Sequence, residues 1–401
     1  MPGRRRVKLT DPGGWDLTLA TAANKKVEPS TALQLSTAWS CVRLLSETIA
    51  TLPLGLYTRS GEAKILAREN PLYTLLHDQP NADQTAVEFW EGMIACLCLR
   101  GNAFAEKEMV GSRLVALTPI DPDRVKLHRR ENGRRFYRVT GENGRDLDED
   151  DVFHLKGFGT GGDMGLSPIA YARESMAAAL AADEAAARFF ASGMQLSGFI
   201  ETGAQTLKAE QRQQLQDLFQ KFAGSPNAGK MMALEGGMKW VPLGLTPEDS
   251  QLLMTRSFNV EEICRWFRVP PFMVGHTEKS TSWGTGLEQQ MIGFLTFSLR
   301  PYLTRIEQAV KKQLISPADR GRVFAEFNLE GLLRADSQGR AALYASAGQN
   351  GWMDRNEIRA LENKAPREGA DVLTVQSNLI PLAMLGQTPL QAAQPAPGEP
   401  V

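Results

Sequence analysis

Apolar residues recur at positions 35, 39, 42, 45, 49 and 52, the three-and-four spacing of a single helix face. The pattern predicts an amphipathic helix that stops near Pro53, where a backbone donor is lost. A second helical pattern covers about 83–99. The period then changes. Residues 103–156 read as short strands, with Asn132-Gly133 dividing V-K-L-H-R-R from R-F-Y-R-V-T, and Asn143-Gly144 dividing that strand from the next. Asn-Gly suits tight hairpins because both residues tolerate positive φ. The first third is therefore expected to be α+β with an antiparallel sheet.

Most of the remainder carries a helical period. Ser167-Pro168 starts a helix, with Ser as cap and Pro in the first turn, and Gly193 stops it. Its middle, A-A-A-L-A-A-D-E-A-A-A-R (177–188), joins high helix propensity to a surface another helix can approach closely. A small module follows: strand 198–202, helix 206–223, a Gly/Pro turn, and strands 230–234 and 238–242. Thr246 caps the next helix, which ends near Arg268 because Pro270 and Pro271 cannot continue it. A polar loop, G-H-T-E-K-S-T-S-W-G-T-G (275–286), leads to a helix over 286–314, kinked near Pro301. A strand (323–329) and two shorter helices (335–348 and 354–363) complete the order. Residues 1–30, and those after about 375, mix Gly, Pro and polar residues without a period and read as disordered.

Composition narrows the function classes. The 401 residues are 42% hydrophobic and 23% charged, ordinary for a soluble chain of two or three domains. Basic and acidic residues number 45 and 46, a formal charge of −1, without the basic excess of a protein that grips a duplex statically. Cys41, Cys96, Cys98 and Cys264 form no C-x-x-C pair. They read as buried free thiols in a reducing cytoplasm, not as a metal site. The basic start, M-P-G-R-R-R, has no apolar stretch behind it, so it is not a secretory signal. M-I-A-C-L-C-L (93–99) is far too short to cross a bilayer, so no membrane partner is expected.

The motifs that suggest catalysis fail on context. G-S-P-N-A-G-K (224–230) has Met231 where a phosphate-binding loop needs Ser or Thr, and it lies between a helix and a strand in the wrong order. G-F-G-T-G-G (157–162) follows a strand, but no second strand bearing an acid lies about 20 residues on; it reads as a hinge feeding a long helix. The acidic run Asp148, Glu149, Asp150 and Asp151 reads as a solvated turn. His276 stands near Glu278 in the polar loop, too little for acid–base work. No catalytic residue, cofactor or metal site is expected.

Several pieces in fixed order resemble the portal proteins of tailed bacteriophages, the large family common in long-tailed phages. They are C-V-R-L-L-S-E-T-I-A-T-L-P (41–53), G-L-S-P-I (165–169), E-G-G-M-K-W-V-P-L (235–243), P-E-D (247–249), R-W-F-R-V-P-P (265–271), E-Q-Q (288–290), R-P-Y-L-T-R-I-E-Q (300–308) and L-L-R-A-D-S-Q-G-R-A (332–341). The resemblance implies an α+β, mainly helical, ring-forming fold. Its parts would be an N-terminal arm (1–30), a wing (31–165), a first stem helix (166–197), a clip (198–245) and a second stem helix (246–270). A tunnel loop, channel helix and return strand (271–334), a small helical crown (335–375) and a tail (376–401) would follow. It implies a channel at one capsid vertex for packaging and ejecting double-stranded DNA. The partners would be identical subunits in a ring, a dodecamer in the virion, with the terminase large subunit, the capsid or scaffold protein and a head–tail connector. The location would be the virion, and the host cytoplasm during assembly. His276, Glu278, Lys279, Ser280, Thr281, Ser282 and Trp283 would form the tunnel loop facing DNA. Two other classes stay open on the residues alone: a smaller structural adaptor of the phage head, and a nucleotide-dependent or DNA-processing enzyme.

Overall fold

The computed structural model describes residues 21–61, 63–141, 144–191, 198–201, 208–222, 239–242, 249–276, 285–329, 337–362 and 364–374. The chain divides into two compact units, Met1–Asn328 and Leu329–Val401. The first opens with α1 (Pro29–Ala32), α2 (Ser36–Ala50), β1 (Leu54–Ser60), β2 (Ala63–Leu66), α3 (Pro71–His77) and α4 (Ala86–Arg100). Strands β3 (Asn102–Val110), β4 (Arg113–Ile120), β5 (Val125–Arg129), β6 (Arg135–Val139), β7 (Arg145–Asp148) and β8 (Val152–Lys156) follow. Then come α5 (Pro168–Ala191), β9 (Gly198–Glu201), α6 (Ala209–Phe222), β10 (Lys239–Pro242) and α7 (Asp249–Phe267). The unit closes with α8 (Thr285–Gly293), a π-helical turn (Phe294–Leu299), α9 (Arg300–Gln313) and β11 (Val323–Phe327). The described strands form antiparallel sheets in the orders β11-β1-β2, β4-β3-β8, β5-β6-β7 and β10-β9, so the fold is α+β.

The apolar spacing of α2 holds with one exception. Leu35, Val42, Leu45, Ile49 and Leu52 are buried, whereas Trp39 is 53% exposed. Leu35 is the N-cap, outside the helix, so counting four residues on from it misplaces the face. The buried stripe runs through Ala38, Cys41, Leu45 and Ile49. α2 packs on α4, whose other side meets β3. Being covered on two sides, α4 buries Phe89, Trp90, Met93, Ile94, Leu97 and Cys98. Thr85 and Glu88 close its N-terminus as a capping box, and Gly101 ends it in the left-handed region. The Trp90 indole N–H donates to the Leu76 carbonyl at 3.0 Å, and its ring meets Phe153 edge-on. A second cluster, Phe104, Leu127, Tyr137, Val139 and Leu147, fills the space between the β3 and β6 sheets.

The β5–β6 hairpin forms at Asn132-Gly133, but by a longer turn than the dipeptide predicts. The Arg130 N–H donates to the Arg134 carbonyl and the Gly133 N–H to the Arg130 carbonyl. Only Gly133 takes positive φ, at 80°, as in a turn followed by a single left-handed residue. The acidic run after β7 is not simply solvated. Asp148 pairs with Arg130, Asp150 with Arg134 and Glu149 with Arg135.

The glycine-rich stretch after β8 is clasped at both ends. The Gly157 N–H donates to the Gly101 carbonyl at 2.9 Å. A Cβ on Gly165 would stand 2.1 Å from that same oxygen, a distance no side chain can adopt. Asn102 holds the far side, accepting from the Gly165 N–H (2.7 Å) and donating to its carbonyl (2.9 Å). Ser167 caps α5 through the Ala170 N–H at 3.2 Å and also donates to the Leu99 carbonyl. The hinge predicted from composition is, at these points, a tight junction between α4, β8 and α5.

Residues 21–30 fall in the stretch predicted to be an arm, yet they are held. Thr21 and Val27 are buried, the Ala22 N–H donates to Glu174 at 3.0 Å, and Lys25 pairs with Glu184 on α5. β11 is the strand expected at 323–329. It adds to β1 in the register Leu54↔Phe327 to Thr58↔Val323, with Val323, Ala325 and Phe327 turned inward. α9 lies on β8 and β11. Its Gln313 amide accepts from the His154 N–H (2.8 Å) and donates to the His154 carbonyl (2.9 Å), completing an edge as a strand would.

The second unit holds α10 (Ser337–Gln349) and α11 (Arg355–Leu361). Asp354 and Glu357 make a capping box for α11, and Tyr344 donates to Glu362 at 3.0 Å. Among its described residues, Ala347 is the buried apolar side chain.

Candidate functional site

The candidate site is the limb made of α7, the turn that ends it and α8, which the polar segment joins in sequence. α5 and α7 pack side by side. Ala172, Ala177, Ala179 and Ala186 are buried along α5, which gives the close approach expected of its small residues. The Trp266 indole N–H reaches Ser175 Oγ across this contact at 3.4 Å. α2 meets α7 as well, setting Cys41 Sγ 4.0 Å from Cys264 Sγ. All four cysteines are free thiols.

α7 ends by a left-handed cap on an unusual residue. Arg268 has φ 59°, a conformation that costs a non-glycine residue roughly 1 kcal/mol. The Val269 N–H returns to the Cys264 carbonyl at 3.0 Å, and the Ser298 hydroxyl donates to the Arg268 carbonyl at 2.5 Å. Pro270 and Pro271 then bar any continuation, and a short 3-10 turn over Pro271–Val274 ends at Gly275 with φ 85°. The chain is thus turned sharply by defined bonds before the polar segment begins.

His276 folds back against α7. Its Nε2 lies 3.3 Å from Ser257 Oγ and 3.9 Å from Glu261 Oε1, and its side chain is 13% exposed. Glu278, Lys279, Ser280, Thr281, Ser282 and Trp283 lie outside the described residues, as does the stretch 224–230 that mimics a phosphate loop. The helix after the segment is interrupted as Pro301 requires. The interruption is a π-helical turn over Phe294–Leu299, immediately before Arg300-Pro301. A wider turn there accommodates the missing proline donor.

The polar pattern of 275–286 draws the functional expectation, yet apolar residues of this limb also face outward. Phe258 is 56% exposed, Ile292 50% and Phe297 65%, and Met291 is also exposed. Their neighbours Ile263, Phe267, Phe294 and Leu299 are buried. The signal was present as apolar residues falling off the buried stripe. Arg265 stacks over Phe258, 5.7 Å to the ring centre, and pairs with Glu262 at 2.7 Å.

His154 was also overlooked. The Asn102 oxygen accepts from its Nε2 (3.1 Å), and Tyr137 OH meets its Nδ1 at 3.2 Å. Burial first, then the charges of Arg135 and Lys156, push its pKa down to about 3. It is a neutral core histidine with both nitrogens engaged. Among the described residues no group of three or more His, Cys, Asp or Glu is placed to hold a metal ion, and no helix is long and apolar enough to cross a membrane.

The described fold is an α+β body with two long packed helices, α5 and α7, and a sharply capped turn that leads into the polar segment. A matching fold occurs in the neck of an empty gene transfer agent particle (TM-score 0.59, 26% identity, 82% of this chain and 90% of that one). The chain belongs to the phage portal protein family, whose model matches residues 36–363. It is 40% identical to the portal protein of Enterobacteria phage HK97 over 360 residues, 88% of this chain and 84% of that one. It is 35% identical to the "Probable portal protein" of Streptomyces phage phiC31 over 373 residues, 89% and 80% of the two chains.

Proposed function

We propose that this chain is one subunit of a closed ring at a capsid vertex, through which double-stranded DNA is packaged and later ejected. The observation that carries the reading, beyond family membership, is the apolar surface left open on one chain by Phe258, Met291, Ile292 and Phe297. Exposed apolar groups on helices suit contact with another protein surface. A head-to-tail contact between identical subunits, repeated until the rotation closes, gives a ring. The six-fold symmetry used for the gene transfer agent neck supports such an arrangement. We take the virion form to be a dodecamer.

In this reading the wing is residues 31–165, α5 and α7 are the stem helices, 198–245 is the clip and 335–375 the crown. The segment 275–286 hangs into the bore, with His276 at its root. DNA must slide both ways, so strong phosphate pairing would act as a brake. A formal charge of −1 agrees with a wall that does not grip. The chain itself does no chemistry: the terminase large subunit supplies the work of packaging and docks on the clip. The capsid or scaffold protein meets the wing, and the head–tail connector replaces the terminase. The subunit would assemble in the host cytoplasm and remain in the virion. Negative-stain microscopy of the purified chain tests the reading. Rings with a bore wide enough for a duplex are expected; discs with no bore, or one too narrow for DNA, would favour the adaptor class.

A further inference from the structure

Beside the wing core lies a concave space of about 470 Å³, within the size range of small-molecule sites. It is lined from β3 by Lys107, from β6 by Arg135, from β8 by Lys156, and from α9 and the turn after it by Arg305, Lys312 and Arg320. Two carboxylates, Glu149 and Asp150, share the lining. Both are already engaged, Glu149 by Arg135 and Asp150 by Arg134 at 2.6 Å.

The other cations are met differently. Lys107 donates to the Gln313 carbonyl at 3.1 Å, Lys156 to the Gly162 carbonyl and Arg305 to the Gly157 carbonyl at 2.6 Å. Arg320 donates to the carbonyls of Lys311, Lys312 and Ile315. Among the described residues none of Lys107, Lys156, Arg305, Lys312 and Arg320 pairs with a carboxylate. Backbone carbonyls orient these groups without cancelling their charge. Burial holds the Lys107 ammonium below the usual lysine range, with Asp150 and Asp151 opposing that shift. Positive charge concentrated in a recess and only partly offset by its two lining carboxylates is a costly arrangement that a bound anion would relieve.

We propose that this recess binds a compact multivalent phosphate, a polyphosphate chain either free or as part of a nucleotide, held between α9 and the β3–β8 sheet. Six cationic side chains against two carboxylates suit an anion of several charges better than a single carboxylate. The recess is too small to admit a duplex, so the ligand is not DNA. The site would couple α9, the helix that continues from the polar segment, to the wing sheet.

Isothermal titration calorimetry of the full chain at fixed ionic strength tests this, with sodium tripolyphosphate, ATP and inorganic phosphate as separate titrants. Saturable binding of one tripolyphosphate per chain is expected, with inorganic phosphate weaker. Lys312→Gln, an exposed position that leaves packing untouched, should weaken it about tenfold, as loss of one charge-assisted bond does; Lys107→Met should weaken it at least as much. Lys311→Gln, whose side chain does not line the recess, should leave it unchanged. ATP binding more tightly than tripolyphosphate would make a nucleotide the source, and equal binding would make it the free chain. No saturable binding, equal weakening by Lys311→Gln, or displacement by duplex DNA at matched phosphate concentration would overturn the proposal.

Discussion

Two regions of this subunit treat their large apolar residues in opposite ways. Between α4 and the β3–β8 sheet, Phe89, Trp90, Met93 and Phe153 are all buried. Along α7, α8 and the π-helical turn, Phe258, Met291, Ile292 and Phe297 face outward. These side chains of the first region are covered within one chain. The second leaves apolar side chains open to a neighbour, which the proposed assembly on the helical limb would cover.

The largest effect expected from breaking this contrast is in the core between α4 and the β3–β8 sheet. Phe153→Ala removes a buried ring that meets Trp90 and should cost about 3–5 kcal/mol of chain stability. Urea unfolding followed by tryptophan fluorescence measures it, and a cost below about 1 kcal/mol would mean that the core between α4 and the β3–β8 sheet is not the stabilising element.

A smaller effect comes with acid. His154 is held with a pKa of about 3 against an ordinary 6.5, so the unfolded chain takes up the proton first. Stability from this group is therefore complete above pH 6.5 and falls as pH drops toward about 3. The slope approaches roughly 1.4 kcal/mol per pH unit well below 6.5. Glu149, depressed by its bond from Arg135, and Asp163, depressed by Arg129, lose stability in the same direction but at lower pH. Unfolding midpoints between pH 7 and 4.5 should fall in the native chain and stay flatter in His154→Gln; parallel curves would contradict the assignment.

Thr85→Ala, which opens the capping box of α4, should cost about 1 kcal/mol, seen as a small shift in the thermal midpoint. Phe297→Ser should change the stability of the isolated chain by no more than about 0.5 kcal/mol, because Phe297 is already 65% exposed. A loss as large as that of Phe153→Ala would erase the contrast.

Much of this architecture was legible from residues. Helix periods, the Asn132-Gly133 turn, the Ser167 cap and the Pro270-Pro271 stop are local chemistry, and local chemistry appears in the chain order. What escaped depends on distant partners. The pairing of β11 with β1 joins residues about 270 apart in sequence, and no short-range pattern encodes it. The clasp of Gly157 and Gly165 on the Gly101 carbonyl looked like flexibility, because a glycine needed for close approach and one needed for motion are written identically. His276 read as part of an open polar loop; its bond distance to Ser257, a turn of α7 away in space and 19 residues back in sequence, was not visible. The outward apolar face was visible but was passed over in favour of the charged loop.

The claim that this helical limb is an assembly surface is tested most directly by mass photometry of the native chain beside Phe297→Glu. The native chain should form a discrete ring many times the 44.1 kDa subunit mass, and Phe297→Glu should collapse to single, folded subunits. Rings of unchanged mass in Phe297→Glu, or a native chain that stays at the subunit mass at every concentration, would contradict it.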